Sequence, residues 1–136
     1  MTAVAGQIAH ARLTLTAAEQ RPFAAADGGP RLSSASFAIR YEGDLAGAGV
    51  LEELRIDFAD GSASIYGIER ASGSVGGRTG SFVLEHVGAC RNGVLTSKRT
   101  VVPGSGTGEL SGLRGVIDLA CADSAACAIS FHYCFD

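Results

Sequence analysis

The sequence predicts an all-β domain folded as an eight-stranded antiparallel closed barrel, and three observations carry that prediction. Apolar and polar residues alternate with period two, between turn signals, along the whole chain. No window of helical length keeps apolar residues at i, i+3, i+4 and i+7. Glycine supplies 19 of the 136 residues against three prolines, without collagen periodicity, which is the composition of many tight turns and closely approaching backbones. Turn-bounded segments then place strands near 7–16, 31–42, 48–59, 62–75, 78–90, 94–103, 114–122 and 127–135. Closing about eight short strands on themselves also removes exposed sheet edges. The one interruption is the Ala-rich stretch Thr16–Asp27, which holds Pro22 and runs into an Asp-Gly-Gly-Pro turn; it reads as a short helical or irregular insert over 17–30.

A chain of 136 residues fits one domain, spanning 1–136. With 46% hydrophobic and 18% charged residues it can bury a core large enough to offset its ordering entropy. Eleven Lys and Arg against 14 Asp and Glu give a net charge of −3, and the basic residues are scattered, which argues against a nucleic acid or an anionic membrane as partner. No apolar run reaches the ~18 residues that span a bilayer. Met1–Leu13 lacks a basic segment followed by an unbroken apolar one, so the expectation is a cytoplasmic protein.

The four cysteines, Cys90, Cys121, Cys127 and Cys134, form no C-x-x-C pair and have no matching histidine pair, so no metal site is expected. In a reducing compartment they read as small buried hydrophobes. Cys121 and Cys127 flank a short turn and face each other if their strands pair, so a disulfide between them stays open.

Turn chemistry assigns faces. Asp60-Gly61 is a two-residue hairpin signal that opposes 59 to 62, and hence 56 to 65, 54 to 67 and 52 to 69. Gly76-Gly77 opposes 75 to 78, and hence 69 to 84 and 67 to 86. Partners share a face, so Leu54, Ile56, Phe58, Ile65, Glu69, Phe82, Leu84 and His86 point inward, while Arg55, Asp57, Tyr66, Ile68 and Arg70 point outward. Pairing 121 with 127 adds Ile117, Leu119, Ile129, Phe131 and Tyr133 to the interior and leaves His132 outside. Phe37, Ile39 and Tyr41, with Leu13 and Leu15, complete it, and His10 faces out. The expected ligand-contacting wall is Phe37, Ile39, Tyr41, Leu54, Ile56, Ile65, Phe82, Leu84, Ile117, Leu119, Ile129, Phe131 and Tyr133.

This assignment puts Glu69, His86 and Glu52 among apolar side chains. A lone ionised carboxylate there is costly, so Glu69 is either neutral or paired with His86, and an opposed Glu52 raises one of the two carboxyl pKa values. Two readings follow: an acid/base pair, with Glu69, His86 and Glu52 as catalytic candidates, or a buried hydrogen bond that only pins strand register. The run Val102-Pro103-Gly104-Ser105-Gly106-Thr107-Gly108 lacks the Lys-Ser/Thr ending of a phosphate loop and leads into a strand; it reads as a crossover at a barrel corner.

Four segments in order, Tyr41-Glu42-Gly43-Asp44-Leu45, Tyr66-Gly67-Ile68-Glu69-Arg70, Gly77-Arg78-Thr79-Gly80-Ser81-Phe82-Val83-Leu84-Glu85-His86 and the glycine run from Val102 to Gly115, resemble a family of small, mostly uncharacterised bacterial proteins related to allene oxide cyclase and, more distantly, to dirigent proteins. The resemblance covers about residues 36–118. It implies an allene oxide cyclase-like, lipocalin-like barrel with a mainly apolar cavity, no cofactor, and assembly as a homodimer or homotrimer. Glu69 and His86 fall on family-pattern positions. The function it implies is a cofactor-independent cyclase or isomerase that holds a flexible apolar small molecule, such as a natural-product intermediate, in a reactive conformer, with Glu69 and His86 as the acid/base pair. The alternatives are a non-catalytic small-molecule-binding barrel and a solid barrel that acts through its outer face.

Overall fold

The structure is a computed structural model that describes residues 6–24, 28–122 and 126–136. Eight strands follow one another: β1 (Gln7–Ala24), β2 (Arg31–Gly43), β3 (Leu45–Asp57), β4 (Ala63–Val75), β5 (Arg78–Arg91), β6 (Val94–Val101), β7 (Leu113–Cys121) and β8 (Ala126–Phe135). Each pairs antiparallel with the next, and β8 pairs back onto β1 from Gln7↔Tyr133 to Thr14↔Ala126, which closes the barrel.

As far as Ala24 the Ala-rich stretch is strand rather than insert, and its last three residues, 25–27, lie outside the described residues. Thr16 is an extra residue between the pairs Leu15↔Ile39 and Ala17↔Ala38, a bulge after which β1 continues along β2 to Ala24. The bulge moves the inward positions from odd to even numbers, so Gln20 points inward and its amide donates to Ser33 Oγ at 3.0 Å. Among the described residues pairing with β8 stops at Thr14, so this second half of β1 is paired only with β2, the edge position that tolerates Pro22.

The register between β4 and β5 runs from Val75↔Arg78 through Glu69↔Leu84 to Gly67↔His86, as the Gly76-Gly77 turn predicts. That between β7 and β8 pairs Ile117 with Phe131, also as expected. The register between β3 and β4 is displaced by one residue. It pairs Arg55 with Ile65, Glu53 with Gly67 and Leu51 with Glu69. The turn is a three-residue loop, Ala59-Asp60-Gly61: the Phe58 amide donates to Ser62 O at 2.9 Å, the Gly61 amide donates to Phe58 O at 3.1 Å, and Gly61 sits at φ +88°. One added loop residue turns every β3 side chain over. Leu51 and Glu53 are therefore buried and Arg55 points inward, whereas Glu52, Leu54 and Ile56 stand on the outer side and Phe58 is exposed in the loop.

The two ends of the barrel differ. At one end Leu45, Val75, Phe82, Val101, Leu113 and Phe131 fill the interior, and Leu110, on a 3-10 turn at Gly108–Leu110, is fully buried against them. Phe82, Phe131 and Tyr133 stack in sequence, with centroids 6.0 and 5.4 Å apart. The run from Val102 to Gly108 is not a crossover: it joins β6 to its neighbour β7, carries the plug, and lies beside β5, where the Thr107 amide donates to Ser81 O at 2.8 Å. The other end is hollow. Among the described residues no helix is long and apolar enough to cross a membrane.

Candidate functional site

A layer of four polar side chains separates the packed half from the hollow half: Tyr41 on β2, Glu69 on β4, His86 on β5 and Arg99 on β6. Glu69 is 0% exposed, and the other three are buried. The Tyr41 hydroxyl donates to Glu69 Oε2 at 2.5 Å, and His86 Nε2 lies 2.9 Å from Glu69 Oε1. A glycine on β3 makes the first of these contacts possible. A Cβ on Gly49 would sit 2.2 Å from Glu69 Oε2, so its absence lets the carboxyl lie across the β3 backbone and reach β2. His86 and Arg99 are cross-strand partners, which puts both on the inner face.

Burial shifts two members of this layer, His86 and Tyr41. It pushes the His86 pKa down; the hydrogen bond to Glu69 opposes the shift, and the Arg99 charge adds to it. The neutral ring then donates its Nε2–H to Glu69. Burial first and the Glu69 charge second hold the Tyr41 hydroxyl well above its ordinary range, so it remains a donor. Arg99 approaches less closely: Nη1 lies 4.0 Å from Glu69 Oε1, beyond hydrogen-bond reach, and finds no hydrogen-bond partner among the described residues.

Above this layer lies a cavity of about 270 Å³, open at the barrel mouth. Leu13, Leu15, Phe37, Leu51, Ile65, Leu95 and Leu119 give it an apolar wall, with Cys90, Cys121 and Cys127 among the other lining residues. His86 and Arg99 contribute to its lining, as do Glu53 and Arg55 from β3; Glu69 and Tyr41 do not line it. Glu53 is buried, and its pKa is raised by that burial against the lowering charges of Arg55 and Arg99. Arg55 Nη1 lies 3.8 Å from Glu53 and Nη2 lies 3.5 Å from Asp57 Oδ1, while its buried Nε finds no partner among the described residues.

The sequence-expected residues divide accordingly. Phe37, Ile65, Leu119 and His86 line the cavity. Ile39, Tyr41, Phe82, Leu84, Ile117, Ile129, Phe131 and Tyr133 belong to the packed core. Leu54 and Ile56 are outside, and Glu52 accepts two hydrogen bonds from Ser36 Oγ, at 2.8 and 2.7 Å, on the outer surface. Glu69 meets His86 but lies beneath the cavity floor. Sequence reasoning misses Glu53 and Arg55 through the displaced register, and Arg99 because its face assignment stops short of β6. Leu95 and Val101 bracket Ser97 and Arg99 at period two, a pattern that places Arg99 inward. Cys121 Sγ donates to Ala126 O at 3.3 Å. Among the described residues no group of three or more His, Cys, Asp and Glu side chains is arranged to hold a metal ion.

The fold recurs in a crystal structure of a protein of unknown function from Shewanella oneidensis MR-1, a member of the DUF3224 family, with a TM-score of 0.80 and 29% identity over 97% of this chain and 99% of that one. No curated protein matches this chain. These comparisons carry the barrel and not the expected relation to allene oxide cyclase or dirigent proteins. The profile of one family, described as a protein of unknown function, matches residues 9–133, and the chain belongs to that family, DUF3224.

Proposed function

We propose that the protein binds a small organic molecule in the hollow half of the barrel, with the apolar part of the ligand against Phe37, Leu51 and Leu119 and its polar end on the floor formed by His86 and Arg99. The observation that carries this reading is the cavity itself: about 270 Å³, apolar on its walls, polar at its base and open at one end. Its volume falls just below the ~300–1,000 Å³ of typical ligand sites, which favours a compact ligand. The chain contains no tryptophan. Phe37→Trp therefore installs a single indole at the cavity wall, and its emission reports occupancy. Titration with 2-acetylnaphthalene, a neutral bicyclic probe, is expected to change that emission saturably. A linear, non-saturating response would remove the binding reading.

A cofactor-independent isomerase is the second reading. It draws on an imidazole with lowered pKa, His86, and a carboxyl with raised pKa, Glu53, facing one cavity as an acid/base pair. Glu69 then acts as a positioning residue that fixes the His86 ring. A ligand recovered chemically unchanged after prolonged incubation favours binding alone; conversion that is lost in His86→Ala favours the isomerase.

We also propose that two copies associate through the outer face of β3, β4 and β5, where Val50, Leu54, Tyr66, Ile68 and Val87 are exposed.

A further inference from the structure

The polar base of the cavity carries an unbalanced set of donors. Arg99 is 6% exposed, faces the cavity, and has an Nη1 with no acceptor among the described residues; Arg55, nearer the mouth, has a buried Nε in the same condition. A buried guanidinium N–H without an acceptor costs more than an ordinary unmade hydrogen bond, because the group is charged. Glu69 does not satisfy it. Its nearer oxygen, Oε1, takes the His86 contact and lies 4.0 Å from Arg99 Nη1, below the floor and beyond hydrogen-bond reach. Glu53 is the other carboxyl on this wall; its closest cationic contact is Arg55, at 3.8 Å. The cavity thus has an apolar wall and a base short of acceptors.

We propose that the ligand is a small organic acid whose carboxylate accepts from Arg99 and Arg55 while its apolar body fills the barrel. The proposal rests on the cavity-binding reading above and adds the charge of the ligand to it. A carboxylate fits better than a phosphate, since Glu53 and Glu69 stand close by and a second negative charge would meet their repulsion.

The test compares two isosteric bicyclic probes, 2-naphthoate and 2-acetylnaphthalene, by isothermal titration calorimetry on the full chain at neutral pH. We expect 2-naphthoate to bind about tenfold or more tightly, the effect of one buried charge-assisted hydrogen bond. Equal affinities, or a preference for the neutral probe, would overturn the anion assignment and leave the cavity reading standing. Binding of neither probe would remove both. Arg99→Met alone leaves Glu69 without its nearby cation, so it is paired with Glu69→Gln. That double variant is expected to lose the preference for 2-naphthoate while still binding 2-acetylnaphthalene, and retention of the preference would take the role away from Arg99. Glu53→Gln is expected to tighten 2-naphthoate binding by clearly more than it alters that of the neutral probe. An unchanged or weakened 2-naphthoate affinity in that variant would contradict the placement of the carboxylate beside Glu53.

Discussion

Glu53 is a residue whose position weakens the fold. Burial raises its folded-state pKa above the ordinary value of 4.5, so the native chain holds a proton that the unfolded chain releases. The stability this contributes is complete below 4.5 and is lost as pH rises through the folded value. His86 behaves oppositely: its folded-state pKa lies below the ordinary 6.5, so its contribution is present above 6.5 and is lost as pH falls through the folded value. Glu53→Gln removes only the first of these. The variant is expected to gain on the parent progressively as pH rises above 4.5, measured by urea unfolding at pH 4, 5.5 and 7. A difference that stays constant across that range would contradict the assignment. A buried carboxyl that costs stability at neutral pH is a feature of binding sites rather than of cores. Glu69 and His86 were legible in the sequence because the Gly76-Gly77 turn fixes their strands. Glu53 and Arg55 were not, since their facing depends on a loop whose length the Asp-Gly pair alone leaves undecided.

At the scale of the strand, β3 and β4 meet at a glycine pair, Gly47↔Gly73. A Cβ on Gly73 would sit 1.9 Å from Ala46 O, and one on Gly47 would sit 2.1 Å from Ser72 O; both residues have positive φ, +153° and +146°. Side chains at this crossing would force the two backbones apart, and with them the β3 glycine path that lets Glu69 reach Tyr41. Gly77, in the next turn, shares the positive φ, +86°, but has open space around its Cβ position. Gly73→Ala is therefore expected to destabilise by more than about 1 kcal/mol, and by clearly more than Gly77→Ala, in urea unfolding. Equal losses would mean that backbone conformation alone, and not the close approach, sets the cost. The pairings of β4 with β5 and β7 with β8 could be read from residues because a two-residue turn or a symmetric hairpin leaves one register. The length of β1 could not: the bulge at Thr16 breaks the period-two pattern where the strand continues, and an Ala-rich stretch has too little hydrophobic contrast to restore it.

At the scale of the molecule, the barrel closes on itself through β1 and β8 and leaves only the far half of β1 paired on one side, so the broad surface offered for association is its outer face. Cross-strand pairing sets Leu54, Tyr66 and Val87 in one row across β3, β4 and β5, Glu52, Ile68 and Glu85 in the next, and Val50, Arg70 and Val83 in the third. Ile68 and Val50 are 63% and 62% exposed, and Leu54, Tyr66 and Val87 are exposed beside them. Five such side chains on one sheet face form a patch of the kind that marks an interaction site. The charges around it suit a second copy of the same surface. A two-fold axis near Ile68 brings Arg70 of one copy toward Glu52 or Glu85 of the other and makes both contacts at once, the self-complementarity of an isologous interface. Sedimentation velocity is expected to show a dimer for the parent chain. Ile68→Lys, which places a charge at the centre of the patch and far from the cavity, is expected to sediment as a monomer and to retain binding of 2-naphthoate. A parent chain that stays monomeric at high micromolar concentration would contradict the two-fold assembly. A dimer that survives Ile68→Lys would move the contact to another part of the barrel wall.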